Sequence, residues 1–132
     1  MSHPIFRLVC VPGALDGAPD GWASKLLREG EVALLVDGGG LAAINAAAHT
    51  LGLATVPVVR TEETAVAQEQ TVIDYAEALP VVWVAADFSE STRTWAHDRR
   101  PMTLLVEADG PLDAGARGRI ERFVGWLGRQ TE

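Results

Sequence analysis

The sequence contains one cysteine, one lysine and no long apolar run, and each scarcity excludes a class of protein. Cys10 has no second cysteine to pair with, so an internal disulfide is excluded, which fits a reducing compartment. No apolar stretch approaches the roughly 20 residues that a membrane-spanning helix needs. Pro4 and Arg7 also interrupt the segment where a signal peptide would lie. The sequence therefore predicts a cytoplasmic protein.

The charge balance limits the partners of the chain. The formal net charge is −7, whereas proteins that bind nucleic acids or anionic membranes need a basic face. We therefore expect neither as a partner, although backbone N–H groups can still bind one small anion locally. Three scattered histidines and one cysteine lack metal-ligand spacing, so no metal site is predicted and no cofactor is identified. The single lysine among the basic residues, with many arginines and alanines, is typical of a high-GC bacterial genome.

Short β-rich runs alternate with helical segments over the whole chain. The runs are continuously apolar rather than alternating, which is typical of strands covered on both faces. Pro57 lies inside the third run and lacks an N–H group, so that strand is expected at an edge or with an irregularity. The five predicted strands are Ile5–Val11, Val32–Val36, Ala54–Arg60, Val81–Ala86 and Met102–Glu107.

Helices are predicted between these strands from their start and stop signals. A glycine follows the first two helical segments, and capping residues with early acids begin the third. The last segment places Ile120, Phe123, Val124 and Leu127 on one face. The predicted helices are Gly21–Glu29, Leu41–Leu51, Thr61–Ala78, Ser89–Arg99 and Pro111–Arg129.

This βα alternation predicts the fold class. The length of 132 residues fits one domain, spanning residues 1–132. Five βα units with right-handed crossovers form a doubly wound, three-layer α/β sandwich around a parallel sheet of about five strands, Rossmann-like or flavodoxin-like. Ligands bind such sheets at the carboxyl ends of the strands, where the strand order reverses.

The strongest local signal for a ligand site is the glycine triplet Gly38–Gly40, after the second strand. Glycines let a backbone approach a ligand closely, and the helix that follows offers free N–H groups to an anion. The segment also fits the G-x-G-x-x-A pattern of dinucleotide-binding turns. A tight turn with close helix–strand packing is the alternative interpretation. The residues predicted to bind a ligand at this edge are Gly13, Asp37, Gly38, Gly39, Gly40, Arg60, Asp87, Ser89, Ser91 and Thr92.

The polar segment Asp87–Thr94, DFSESTRT, follows the fourth strand and has two interpretations. Its hydroxyls are of the type that binds phosphate or ribose. Alternatively, Asp87 or Ser89 simply caps the helix that follows.

The stretch from Leu8 to Val59 resembles the SLOG group of Rossmann-like domains. In those families a small-residue turn follows one strand, and a Gly-Gly-Gly turn and an Ala-rich helix follow the next. The corresponding segments here are LVCVPGA, VALLVDGGG and LAAINAAAHTLG. The group includes cytokinin-activating phosphoribohydrolases, molybdenum-cofactor carriers and DNA-processing proteins. The later segment ALPVVWVAADFSESTRTWAHDRRPMTLLV also resembles their pattern of a strand, a Ser/Thr turn, a helix and a final strand. The resemblance implies that a nucleotide-like ligand contacts Gly13, Gly38, Gly39, Gly40, Ser91 and Thr92.

One departure from that group concerns catalysis. The phosphoribohydrolases carry a P-G-G-x-G-T-x-x-E motif, whereas Asp87–Thr92 here has no glycine. Their catalytic glutamate has no clear counterpart, since Trp95 and His97 occupy that region. The resemblance therefore favours ligand binding over glycosidic-bond hydrolysis.

Three functions remain as hypotheses. The first is a non-catalytic domain that binds or senses a nucleotide-derived ligand. The second is an interaction module that pairs with itself or a partner through a helix face around Trp126. The third is a small enzyme acting on an N-glycosidic or phosphoester bond, with Asp87, Glu90 and Asp109 as its candidate acids.

Overall fold

Five parallel strands form one sheet whose order confirms a doubly wound α/β architecture. The structure, a computed structural model, describes residues 4–19, 21–28, 30–36, 40–53, 56–76, 78–99 and 102–130. The sheet order is β3-β2-β1-β4-β5, and every neighbouring pair is parallel. The strands are β1 Phe6–Cys10, β2 Gly30–Leu35, β3 Val58–Val59, β4 Val81–Ala85 and β5 Thr103–Glu107.

Helices connect these strands in two layers. A 3₁₀ turn follows β1 and covers Pro12–Leu15. It lies between the first predicted strand and the first predicted helix. No helix among the described residues is long and apolar enough to cross a bilayer. The helices are α1 Trp22–Leu26, α2 Gly40–Thr50, α3 Ala65–Ala76, α4 Glu90–Arg99 and α5 Ala114–Gln130.

Two apolar clusters on opposite faces of the sheet confirm the three-layer arrangement. Leu8 and Cys10 of β1 pack into a cluster with residues of α1, α2 and α5. Val9 lies between them in sequence and packs with Trp83 and Val72 in a second cluster, against α3 and α4. Because side chains alternate along a strand, continuous apolar runs fill both faces. The helices that connect β1 to β2 and β2 to β3 therefore lie in one layer, and those that connect β3 to β4 and β4 to β5 lie in the other.

The first helix is shorter than its sequence pattern predicts. Gly21–Glu29 was the expected range, but α1 covers only Trp22–Leu26. Gly30, expected to end that helix, is instead the first residue of β2 and pairs with Phe6 of β1. Because β2 begins at the residue where the helix was expected to end, less of the chain is left for α1.

The third strand lies at the edge of the sheet, as Pro57 predicts. Its described part is Val58–Val59, shorter than the expected Ala54–Arg60, and residues 54 and 55 lie outside the described residues. The Leu34 N–H donates to the Pro57 carbonyl at 2.9 Å, so the proline contributes its acceptor to the ladder. Pro57 lies just before the two residues of this edge strand, a position at which a sheet tolerates proline.

An arginine closes the amino edge of the sheet. Arg7 donates to the carbonyls of Tyr75 at 2.6 Å and Ala76 at 3.3 Å, at the end of α3. Its guanidinium lies 4.7 Å from the centroid of the Tyr75 ring, and Nε is 3.7 Å from Glu31 Oε1. The Tyr75 hydroxyl donates to the same carboxylate. These contacts tie α3 to β1 and β2, so this edge serves stability.

Cys10 is expected to be unreactive in the folded protein. It is fully buried at the end of β1, and this burial raises the pKa of its thiol to about 12. Because the thiolate is the reactive form, a disulfide reagent at pH 8 should label the native chain only as it unfolds. Labelling should be immediate in urea. As a control, Ser91→Cys adds an exposed thiol, so one thiol per chain should be labelled quickly. Rapid labelling of the wild type would contradict the burial of Cys10.

Candidate ligand-binding cleft

The carboxyl edge of the sheet contains the point at which strand order reverses. The chain runs outward from β1 to β2 and β3 on one side, and then returns to add β4 and β5 on the other. The connections after β1 and β4 therefore diverge to opposite layers, as the two apolar clusters show. In open α/β sheets this divergence creates the crevice in which ligands bind.

A cleft of about 550 Å³ begins at the end of β1 and runs between α1 and α2. We call it the α1–α2 cleft. One wall comes from the segment between Pro12 and Ser24, and includes Gly13 and Asp16. The volume falls within the range of about 300–1,000 Å³ that is usual for small-molecule sites. The other wall is formed by Ala43, Ala46, Ala47, Thr50 and Leu51.

The α2 wall is built from small residues at helical spacing. Ala43, Ala46, Ala47 and Thr50 recur at intervals of three and four residues, and therefore share one face of the helix. Alanine has the highest helix propensity, so the sequence keeps the helix while removing side-chain bulk. Ala47 is buried and Ala46 is exposed, which places the face partly against the core and partly in the cleft.

The opposite wall is shaped by glycine and proline. Gly17 and Gly21 have φ angles of +76° and +77°, which L side chains rarely adopt, and they turn the chain between the 3₁₀ turn and α1. Pro12 lies before this bend and Pro19 within it, and both line the cleft. This loop and the start of α1 therefore form the wall that faces α2.

Hydrogen bonds fix the hydroxyls at the far end of the cleft. Ser24 Oγ donates to the Leu51 carbonyl at 3.4 Å and so joins α1 to the end of α2. Thr50 Oγ1 donates to the Ala46 carbonyl at 3.0 Å, within the same helix. The Asp16 carboxylate has no hydrogen-bond or ion-pair partner among the described residues, and Asp16 is exposed.

Two glycines predicted to bind a ligand lie at or near the cleft. Gly13 lines it. Gly40 begins α2 with a φ angle of +62°, one helical turn before Ala43, which lines the cleft. Asp37, Gly38 and Gly39 lie outside the described residues, so the glycine triplet as a whole remains a prediction.

Arg60 is engaged elsewhere, at the carboxyl end of β3. Its Nε donates to Glu62 Oε2 at 2.5 Å, and Thr71 Oγ1 of α3 donates to the same oxygen at 2.8 Å. The hydrogen bond from Arg60 and then that from Thr71 lower the pKa of Glu62. This cluster joins β3 to α3, and Arg60 does not line the α1–α2 cleft.

The predicted hydroxyl residues belong to α4, in the opposite layer from the cleft. Ser89 Oγ accepts the Thr92 N–H at 3.2 Å, so it caps this helix. The Ser89 N–H donates to Glu69 Oε2 of α3 at 2.9 Å. Thr92 is buried, with 1% of its surface exposed, and Ser91 is exposed on the first turn. The sheet separates all three from α2, and the capping interpretation describes their observed contacts.

The acidic residues at the ends of β4 and β5 share one arginine. Arg93 of α4 donates to Glu107, and its Nη2 lies 3.8 Å from Asp87 Oδ1. The hydrogen bond to Glu107 is the main cause of a raised Arg93 pKa. Within the described residues, neither Glu90 nor Asp109 hydrogen-bonds to Asp87. The three acids of the enzyme hypothesis therefore do not form a connected pair of acid and base.

The surroundings of the metal-binding residue types and of Trp126 bear on two other sequence features. No group of three or more metal-binding side chains occurs in the part of the chain that the structure describes. Trp126 is half-buried and packs against the cluster formed by α1, α2 and α5. Its indole thus contributes to the core of its own domain.

Several cleft residues were missed by sequence reasoning. Asp16, Ala18 and Pro19 stood in a segment treated only as a loop, and Ser24 and Thr50 stood in helices without a proposed role. Two signals point to them in retrospect. The segment L-D-G-A-P-D-G precedes a very short helix, and the alanines of α2 recur on one face.

Comparisons with family models, curated proteins and solved structures found no match to this chain.

Proposed function

We propose that this domain binds a small, nucleotide-derived ligand in the α1–α2 cleft, without transforming it. The observation that carries the proposal is the cleft itself, a hollow of about 550 Å³ that begins at the carboxyl end of β1. β1 is one of the two strands that flank the reversal of strand order. Ligands of open α/β sheets are found at this position.

The chemistry of the walls supports a ligand with a planar apolar part. The alanines of α2 provide a smooth wall of low relief, and Pro12 and Pro19 provide apolar surface opposite. Such walls suit the faces of a nucleobase, whereas the polar groups Asp16, Ser24 and Thr50 can fix its orientation. The resemblance of Leu8–Val59 to SLOG domains points to the same class of ligand.

The absence of a connected acid and base among the described candidates favours binding over catalysis. Asp87 is paired with Arg93, and it belongs to the strand end whose connection enters the other layer. General acid–base catalysis needs groups within hydrogen-bond reach of the reacting atoms. In the part of the cleft that the structure describes, the lining side chains provide one carboxylate, that of Asp16.

A cleft-filling substitution tests the proposal. Isothermal titration calorimetry with nucleosides, nucleotides and sugar phosphates should identify a ligand of the wild type. Ala46→Trp places an indole in the cleft from an exposed helical position, so binding should weaken at least tenfold, about 1.4 kcal/mol, without unfolding the domain.

The matched control is Asn45→Trp. Asn45 is the neighbouring exposed residue of α2 and does not line the cleft, so this variant should bind like the wild type. Circular dichroism checks that both variants are folded. Failure of the whole panel to bind, or equal binding by Ala46→Trp, would refute the proposal.

A further inference from the structure

The polar side chains of the α1–α2 cleft act as hydrogen-bond acceptors. Ser24 and Thr50 each use their hydroxyl proton on a main-chain carbonyl, that of Leu51 and that of Ala46 respectively. Each hydroxyl therefore presents only oxygen lone pairs to a further group. The ionised carboxylate of Asp16 can only accept, and it has no partner among the described residues.

Some main-chain donors around the Asp16 loop are used within the loop. The N–H groups of Ala14, Asp16 and Trp22 donate to the carbonyls of Val11, Gly13 and Pro19. Pro12 and Pro19, which line the cleft, have no N–H group. The described side chains of the cleft therefore offer acceptors, which a ligand that carries hydroxyl donors can match.

The charge of the cleft points in the same direction. Among the described residues that line the cleft, the charged side chain is that of Asp16, and its charge is negative. Arg60 and Arg93 lie at other strand ends and are bound to Glu62 and Glu107. Side chains that bind phosphate are usually arginine or lysine, and the described side chains of the cleft offer a carboxylate instead.

We infer that the cleft selects a neutral ribonucleoside, whose ribose hydroxyls donate to the Asp16 carboxylate, over the corresponding di- and triphosphates. This inference rests on the proposed function and narrows its ligand class. A carboxylate has two oxygens that can accept from two adjacent hydroxyls, so a vicinal diol matches it in both geometry and hydrogen-bonding polarity. The planar base then lies between the alanine face of α2 and the prolines.

Calorimetry with matched ligands tests the inference. Adenosine, guanosine, cytidine and uridine are each compared with their di- and triphosphates at low and high salt. The preferred nucleoside should bind at least about tenfold more tightly than its triphosphate. This difference in affinity should narrow at high salt, because salt screens the repulsion between the phosphates and the Asp16 carboxylate. Its 2′,3′-dideoxy analogue should lose about tenfold, since it lacks the donors.

Asp16→Asn separates this ligand class from the proposed function. It should weaken nucleoside binding about tenfold and reduce the discrimination against triphosphate, because the amide lacks the charge. Asp98→Asn makes the same change at an exposed position on α4, in the opposite layer, and should leave both affinities unchanged. A triphosphate that binds as tightly as its nucleoside, or an Asp16→Asn variant with unchanged affinity, would overturn the inference. In that event, binding that Ala46→Trp still blocks would leave the proposed function standing.

Discussion

Trp83→Ala is expected to destabilise the fold by about 3–5 kcal/mol, the usual range for removing a buried aromatic side chain. Trp83 lies in β4 with 2% of its surface exposed. Its ring centroid is 5.2 Å from that of Phe88 and 6.3 Å from that of Trp95, and both pairs are edge-to-face. The substitution removes the centre of this aromatic group and leaves a cavity between the sheet and the layer of α3 and α4.

Urea denaturation followed by circular dichroism measures this effect. Because domains of this size are stable by only about 5–15 kcal/mol, such a loss should shift the midpoint strongly while leaving the slope nearly unchanged. Trp83→Phe keeps an aromatic ring and should lose much less. Val66→Ala, at a side chain that is 75% exposed, should be nearly neutral. A loss below 1 kcal/mol for Trp83→Ala would show that this layer is loosely packed.

The strands and layers could be predicted because a strand that is buried on both faces has a continuous apolar run in its sequence. β4 is buried over Val81–Val84, and its apolar run has no polar interruption. Such a run indicates a sheet covered by helices on both sides, and right-handed crossovers then restrict the layering. The strand order required coordinates, since the sequence of βα units is the same for several doubly wound orders.

The cleft could not be predicted in the same way, because it depends on how two segments that are distant in sequence pack together. The segment Pro12–Ser24 has the sequence of a loop and a helix start, and the alanines of α2 have the sequence of an ordinary helix face. Only the fold places these two segments opposite each other, and Asp16 gains its proposed role from that placement.

The sequence also could not decide between two uses of the segment Asp87–Thr94. A Ser/Thr-rich turn before a helix has the same sequence whether it binds phosphate or caps the helix. The Ser89 hydroxyl accepts the Thr92 N–H at the start of α4, and the Thr92 residue is buried. Only the partners of each hydroxyl distinguish the two uses.

Gly30→Ala is expected to destabilise the fold by about 1–3 kcal/mol through overpacking against Phe6. A Cβ atom at Gly30 would lie 2.8 Å from Cε2 of the Phe6 ring, and closer still to Cε1 and Cζ. Phe6 is fully buried, so its ring cannot leave without disturbing the core. A helix-capping glycine would also lose stability on this substitution, but that loss would be independent of Phe6. The dependence on Phe6 therefore distinguishes the two roles.

A double-mutant cycle with Phe6→Leu measures that dependence by urea denaturation. The smaller side chain frees space for the new methyl group, so the double variant should be more stable than the sum of the single losses predicts, by about 1 kcal/mol or more. Gly128→Ala is the control. Its added Cβ would meet nothing within 4 Å in α5, so alanine should be neutral or slightly stabilising there. Additive losses at Gly30 and Phe6 would contradict the cross-strand packing.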